Sequence, residues 1–470
     1  MTKKASSKSK KNSSKADNVK TVLLTNYSKD LLSFFQKNKI QVGDAITLTE
    51  GIKIISGNLL PQTELGDSDT IVLKQKNGYN VGMKFSSSMK VRKEGENVQI
   101  ENFPTITQKQ KKGLPPISLI ATGGTIASRI DYLTGGVVMA SSPEEIFVNL
   151  PELFDEVSFK KIHQLYQMGS EDISHKQWTE IAKTVAKDLN SGLNGTVIMH
   201  GTDMMGYTAA ALSFMLEDLN KPVVMAGGQR SSDRGSFDGA LNLISAARIA
   251  GKGNFAHVMV SMHESSDDNT CLLSPGTNVR KMHTSRRDAF KTINAHPIAR
   301  IDYDGNVTEI APNIRRRSEG EVTANAKYEP KVALTKIYPG SDPEILDWYV
   351  DRGVKGVILE GTGLGHVPTF PPEEEKERSW IPAIERVIDQ GMFVGMTSQC
   401  LYGRTNKFVY RALRATFQKG VTYLEDMLPE TALIKLGWVL GQQKSEEETK
   451  KMMTSNLRGE IRSKSYYFKE

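Results

Sequence analysis

Apolar residues along this chain fall into three successive patterns, and each predicts a different kind of element. Within residues 21–110 they come in short alternating runs at 45–48, 53–55, 70–74, 80–84 and 98–100, separated by turn residues such as Asn77-Gly78. Alternation over a few residues predicts half-buried strands, and Asn-Gly between two such runs predicts a tight hairpin because both residues tolerate positive φ. Five short strands with one short helix near 31–35 predict a small all-β barrel or sandwich. From Ile117 the runs are continuous instead: 117–121, 196–199, 222–226 and 257–261. Between them the spacing becomes helical, through Trp178, Ile181, Val185 and Leu189, then over 207–219 and 237–250. Ser142-Pro-Glu-Glu145 has the proline and acids of a helix start. Strands apolar on both faces that alternate with helices predict a doubly wound parallel sheet. A smaller α/β unit follows from Lys331, with strands at 332–337, 356–360 and 393–397 and helices at 342–352 and 380–390.

The predicted organisation is a basic tail at 1–20, a small β-barrel domain at 21–110, a large α/β domain at 114–312, a smaller α/β domain at 330–441 and a charged C-terminal tail at 442–470. Residues 108–116 are polar and end in two prolines, as a linker does. The Arg-rich stretch 313–321 reads as a second, solvated linker, with RNA contact as its other reading.

Charge changes this picture little. The formal net charge is +7, yet seven lysines and one acid fall between Lys3 and Lys20, so the remainder is close to neutral. A segment this polar is expected to be disordered. It is a solvated extension or a loose electrostatic contact for RNA. No apolar run approaches the roughly 20 residues that cross a bilayer, so a cytoplasmic protein without membrane contact is expected. Cys271 and Cys400 are the only cysteines, too few for a zinc site of the CxxC type, and two buried, inert thiols are expected.

Candidate chemistry lies where strands end. Leu119-Ile-Ala-Thr-Gly-Gly-Thr125 runs a strand into two glycines and a hydroxyl, and His200-Gly-Thr202-Asp203 follows the next strand. Val279-Arg-Lys281 adds a lysine. Sites in doubly wound sheets form at the carboxyl ends of strands. A threonine hydroxyl needs a base or a strong field to act as a nucleophile, and glycine turns offer backbone N–H groups to an oxyanion. These parts suit acyl transfer on an amide. Each has a plainer reading: Thr202 and Asp203 as a helix N-cap, Lys281 as a surface lysine, and His200, His263 and His283 as packing groups. The loop Glu360-Gly-Thr-Gly-Leu-Gly365 is a turn, not a dinucleotide site, and no P-loop is present.

Thr122-Gly-Gly-Thr-Ile-Ala127, His200-Gly-Thr-Asp203 and the segment from Gly276 to Phe290 resemble the signatures of bacterial-type L-asparaginases, over roughly residues 117–441. The resemblance implies Thr125 as nucleophile, Tyr132 as its activating phenol, and Thr202, Asp203 and Lys281 as a second triad. Ser170 and Glu171 fall where that family binds the substrate's α-carboxylate and α-amino group. Glu171 stands where many members carry Gln, and Met204 where Thr is usual. The N-terminal module, through Val42-Gly-Asp44, Gly57-Asn-Leu-Leu-Pro61, Ile71-Val-Leu-Lys74 and Asn77-Gly-Tyr-Asn-Val-Gly82, is similar to that of the D subunits of archaeal glutamyl-tRNA(Gln) amidotransferases, as are residues 206–211 and 226–233. That likeness implies hydrolysis of glutamine or asparagine, with the ammonia passed to an amidotransferase E subunit that binds Glu-tRNA(Gln). ATP and Mg are implied at that partner, no cofactor is implied in this chain, and the assembly implied is a homodimer within a heterotetramer. The loop 397–403 is a candidate for contributions across the dimer. Two other readings stay open: a stand-alone asparaginase or glutaminase, and a non-catalytic RNA-binding scaffold.

Overall fold

A computed structural model of the chain describes residues 26–62, 66–76, 79–95, 112–130, 137–139, 150–232 and 236–465. The basic tail, the Asn77-Gly78 turn, the helix start at Ser142 and the run at 98–100 lie outside the described residues. Two compact units are present.

In the first, helix α1 (Lys29–Lys37) precedes strands β1 (Ala45–Glu50), β2 (Lys53–Leu59), β3 (Thr70–Lys74), β4 (Asn80–Lys84) and β5 (Lys90–Gly95). All pairings are antiparallel, in the order β4-β3-β2-β1-β5. Helix α1 starts at Ser28, whose Oγ accepts from the Leu31 amide, satisfying a donor that the first turn leaves open. Leu31 and Phe35, one turn apart, reach the core formed by alternate strand residues Ile46, Leu48, Ile71 and Leu73. The fifth described strand differs from the one expected at 98–100. Strand β5 is rich in Lys, Arg and Glu, a composition that suits an edge position and hides it from a hydrophobicity pattern.

In the second unit, strands β6 (Pro116–Ala121), β7 (Ser158–Gln164), β8 (Thr196–Met199), β9 (Val223–Ala226) and β10 (Val258–His263) alternate with helices α2 (His175–Asn190), α3 (Met205–Met215) and α4 (Gly239–Lys252). The strands are parallel, in the order β7-β6-β8-β9-β10. Then come β11 (Thr270–Pro275), a hairpin of β12 (Val279–Lys281) and β13 (Phe290–Thr292), and β14 (Ala299–Asp302) and β15 (Val307–Glu309). Strands β11, β14 and β15 extend the sheet antiparallel beyond β10. The parallel part is the doubly wound sheet expected, and the antiparallel extension is new. Helix α2 is fixed at its start by a capping box between Ser174 and Gln177. Its apolar face, Trp178, Ile181, Val185 and Leu189, is buried, and the Trp178 indole donates to Thr208 Oγ1 of α3 at 3.0 Å.

The smaller α/β part has parallel strands β16 (Val332–Lys336), β17 (Gly356–Gly361), β18 (Phe393–Ser398) and β19 (Thr422–Tyr423) in sequential order. Helices α5 (Ile345–Asp351), α6 (Trp380–Asp389), α7 (Arg411–Gln418), α8 (Pro429–Gly441) and α9 (Glu446–Thr454) complete it. Helix α3 is apolar on nearly every side, and the structure encloses it, as such a helix requires. Phe214 of α3 stacks on Trp438 of α8 at 5.8 Å, so the larger and smaller α/β parts share one core.

Three expectations are corrected. The stretch at 313–321 is not a solvated linker throughout: the Arg317 guanidinium donates to the carbonyls of Ala250, Gly251 and Gly253 at the end of α4, and to that of Asn194. A cation there satisfies carbonyls that the last turn leaves open and complements the helix dipole. Residues 442–470 are not simply a charged tail, since Met453, Glu460 and Ile461 are buried. Charge on one face of α9 concealed its packed face. Cys271 is buried, but Cys400 is exposed. Among the described residues, no helix is long and apolar enough to cross a membrane.

Candidate active site

The strand order reverses direction between β6 and β8, and at such a switch point the loops after the two strands part to leave a crevice. Thr125 follows β6 and opens a short 3-10 turn, Thr125–Ala127. Gly123 and Gly124 before it take φ values of 108° and 85°, a region that side chains disfavour. A Cβ on Gly124 would lie 2.4 Å from Gly201 Cα, and one on Gly201 would lie 2.8 Å from Ser170 Cβ. After β9, a Cβ on Gly227 would meet the Thr202 methyl at 2.8 Å. Bare backbone thus lets four loops converge. Thr122 Oγ1 secures the first by donating to the Met199 carbonyl at 3.0 Å.

Lys281 reaches the same place from the β12/β13 hairpin. Its Nζ donates to Thr202 Oγ1 at 2.9 Å and to Asp203 Oδ1 at 2.7 Å. The lysine side chain is only 13% exposed, whereas that of Asp203 is 65% exposed, so the group has a closed end and an open one. This geometry removes the plainer readings of Thr202, Asp203 and Lys281. The N-cap of α3 is Met204, with no side-chain capping bond, so neither Thr202 nor Asp203 caps that helix. Lys281 is not a free surface lysine. Its neighbour Arg280 pairs with Glu430 of α8 at 3.5 Å, tying the lysine strand to the shared core. Burial pushes the Glu430 carboxyl up and Arg280 opposes it.

Ser170 and Glu171 lie on the 3-10 turn Ser170–Asp172 after β7. Ser170 is buried, and its Oγ accepts from the Met204 amide at 3.3 Å. Glu171 is exposed and folds back over Gly169. Tyr132 lies outside the described residues, between the paired strands Ser128–Ile130 and Val137–Met139. The structure therefore brings Thr202, Asp203 and Lys281 into direct contact, links Ser170 to them through Met204, and sets Thr125 next to the Gly124–Gly201 approach. Sequence reasoning missed Asn242, whose Nδ2 donates to the Gly227 carbonyl at 2.9 Å and whose Oδ1 meets His263 Nδ1. A lone amide in the apolar run Ala240-Leu-Asn-Leu243 was the available signal. Among the described residues, no group of three or more His, Cys, Asp and Glu is placed to hold a metal ion.

His200 is fully buried behind the Thr202 loop, and its Nδ1–H donates to the Gly201 carbonyl at 2.7 Å. Burial lowers its pKa to about 4, with the Gly201 carbonyl opposing. An unfolded chain binds this proton near pH 6.5 while the folded one does not. The stabilisation is complete above that pH and is lost as pH falls towards 4, by up to roughly 3 kcal/mol. Urea unfolding midpoints measured from pH 7 to pH 4 are expected to fall less steeply in His200→Gln; equal slopes would exclude His200 as a source. His257, also lowered to about 4 by burial and by Arg315, contributes in the same direction.

Comparison with known proteins places the chain among relatives of two kinds. Residues 116–314 match the family model described as Asparaginase, N-terminal, and residues 331–453 match the Glutaminase/Asparaginase C-terminal domain. Residues 40–93 match the GatD N-terminal domain. The D subunit of the glutamyl-tRNA(Gln) amidotransferase of Pyrococcus furiosus is 49% identical over 91% of this chain and 96% of its own. That of Methanopyrus kandleri is 42% identical over 93% and 95%. Among solved structures, the thermostable L-asparaginase of Thermococcus kodakarensis superposes with a TM-score of 0.64 at 29% identity, covering 74% of this chain and 99% of that one.

Proposed function

The chain belongs to the family of glutamyl-tRNA(Gln) amidotransferase D subunits, and on that premise we propose that it hydrolyses the side-chain amide of glutamine or asparagine and hands the ammonia to a partner protein. Thr125 Oγ attacks the amide carbon. Backbone N–H groups of the glycine turn receive the charge that develops on the carbonyl oxygen. The amide nitrogen takes up a proton and leaves as ammonia, and water then hydrolyses the threonyl ester to release the acid. Tyr132 assists the nucleophile, while Lys281, held against Thr202 and Asp203, moves protons at the opposite side of the substrate. Ser170 holds the α-carboxylate. Glu171 and Asp203 supply negative charge for the α-ammonium group.

The observation that carries this reading is the contact of Lys281 Nζ with both Thr202 Oγ1 and Asp203 Oδ1, from segments 78 and more residues apart. Two findings favour a partnered protein over a free asparaginase: the L-asparaginase structure covers only 74% of this chain, and the additional N-terminal module matches the GatD family model. The partner, the amidotransferase's E subunit, binds Glu-tRNA(Gln) and activates its γ-carboxylate with ATP and Mg, and ammonia converts it to Gln-tRNA(Gln). A homodimer within a heterotetramer is the assembly proposed. Channelling has a chemical reason: ammonia released into neutral water is mostly protonated and no longer nucleophilic.

Ammonia release from glutamine and from asparagine should be measured with the purified protein alone, then with the E subunit, ATP and Glu-tRNA(Gln). Slow release that rises severalfold with the complete mixture is expected. Fast release indifferent to the additions would make this a free amidohydrolase.

A further inference from the structure

Away from the candidate active site, the second unit contains a cavity of about 100 Å³ lined by His257, His296, Asn313, Arg458 and Arg462 among apolar neighbours. Among the described residues, no carboxylate lines it. That volume admits one small polyatomic ion or a few waters.

The local charge balance is positive. Glu460 is committed to Lys435 in a fully buried pair, and Asp426 accepts from the Arg462 backbone amide while its carboxylate faces the charges of both Arg404 and Arg462. Arg458 and Arg315 make no ion pair among the described residues. Partial burial and the charge of Arg458 both lower the Arg315 guanidinium from its ordinary value. The Arg315 amide donates to His257 Nε2 at 2.9 Å, which leaves the ring proton on Nδ1 as a further donor. Neighbouring guanidinium groups repel each other unless an anion joins them, and the planar fork of Arg matches the oxygens of a tetrahedral oxyanion.

We propose that this pocket binds a phosphate group. The small volume favours a free phosphate or a terminal monoester over a phosphate within a polynucleotide backbone. The site touches α3 and the segment that leads into the Lys281 hairpin. The Arg458 Nε donates to the Ser213 carbonyl near the end of α3, the helix that follows Asp203, and Pro275 of the lining leads through Gly276 to Asn278 into the Lys281 hairpin. Its occupant would brace those elements. The proposal does not depend on the amidotransferase reading.

The full-length protein, at pH 7 and low ionic strength, should be titrated calorimetrically with inorganic phosphate, against sodium chloride at matched ionic strength. Saturable phosphate binding is expected, with chloride giving none. Asn313→Asp places a carboxylate in the exposed part of the lining and should weaken that binding at least ~10-fold, with Arg315→Ala weakening it less. Neither residue belongs to the proposed catalytic group, so retained ammonia release reports an intact fold. Displacement of phosphate by transfer RNA would assign the group to a nucleic-acid backbone, and persistence of phosphate binding would assign it to a small molecule; both retain a phosphate site. Absence of saturable binding, or equal binding in Asn313→Asp as the basic N-terminal tail alone would give, overturns the proposal.

Discussion

Replacing Thr125 with Ala is expected to lower the turnover of ammonia release by at least ~10³-fold, and Lys281→Met to do the same. The two effects have different origins. Thr125→Ala removes the atom that forms the covalent bond. Lys281→Met preserves length and apolar packing but removes the ammonium that donates to both Thr202 Oγ1 and Asp203 Oδ1. Because the groups act as a unit, the double variant should be little slower than either single one. Initial rates with saturating glutamine, with circular dichroism to verify folding, provide the check. A Lys281→Met enzyme within tenfold of the parent would remove the lysine from the proposed mechanism, and multiplicative losses in the double variant would show that the two residues act independently.

Glu460→Ala is expected to be the most destabilising single change outside the candidate site, at roughly 3–5 kcal/mol. Lys435 and Glu460 are each fully buried and in contact at 2.6 Å. Burial lowers the Lys435 ammonium from its ordinary value and Glu460 opposes that shift. Removing the carboxylate leaves a charge with only the carbonyls of Met453 and Ser455 for support. It also strips the Leu457 and Arg458 amides of their acceptor. The double variant Lys435→Met, Glu460→Ala should be more stable than Glu460→Ala alone, because no unpaired charge remains inside. Urea unfolding compares the three chains, and a loss below about 1 kcal/mol for Glu460→Ala would mean the ammonium finds water in the folded state.

The elements legible in the sequence were those whose environment is uniform. Strands β6, β8 and β9 are buried at almost every position and read as unbroken apolar runs, and α2 shows its buried face at helical spacing. Strand β5 was not legible because its charged residues suit a solvated edge. The antiparallel strands β14 and β15 alternate too briefly to stand out, with β15 exposed throughout. Arg317 and the segment around Glu460 were misread for one reason: charge in a sequence suggests solvent, and nothing local shows that carbonyls or a counter-charge wait elsewhere in the chain. At the candidate site the motifs marked Thr125, Thr202, Asp203 and Lys281, and the glycines beside them have a clear steric purpose. That Lys281 lands on Thr202 depends on a hairpin and a sheet register that spacing alone does not encode. Asn242 stayed hidden because its partners lie on two other strands' ends.

The enclosed position of helix α3 also constrains when the protein can become itself. Its apolar surface is completed by α8, which begins at Pro429, 214 residues after α3 ends at Met215. At ordinary rates of translation, roughly 10 to 40 seconds pass between the emergence of the two helices from the ribosome. The larger α/β part cannot complete its core during that interval, even after the last of its strands, β15, has ended at Glu309, 120 residues before α8 begins. Nascent chains of this protein therefore carry an uncovered, sticky helix until synthesis is nearly finished, a stretch in which holding chaperones matter more than they do for a protein whose domains seal one by one.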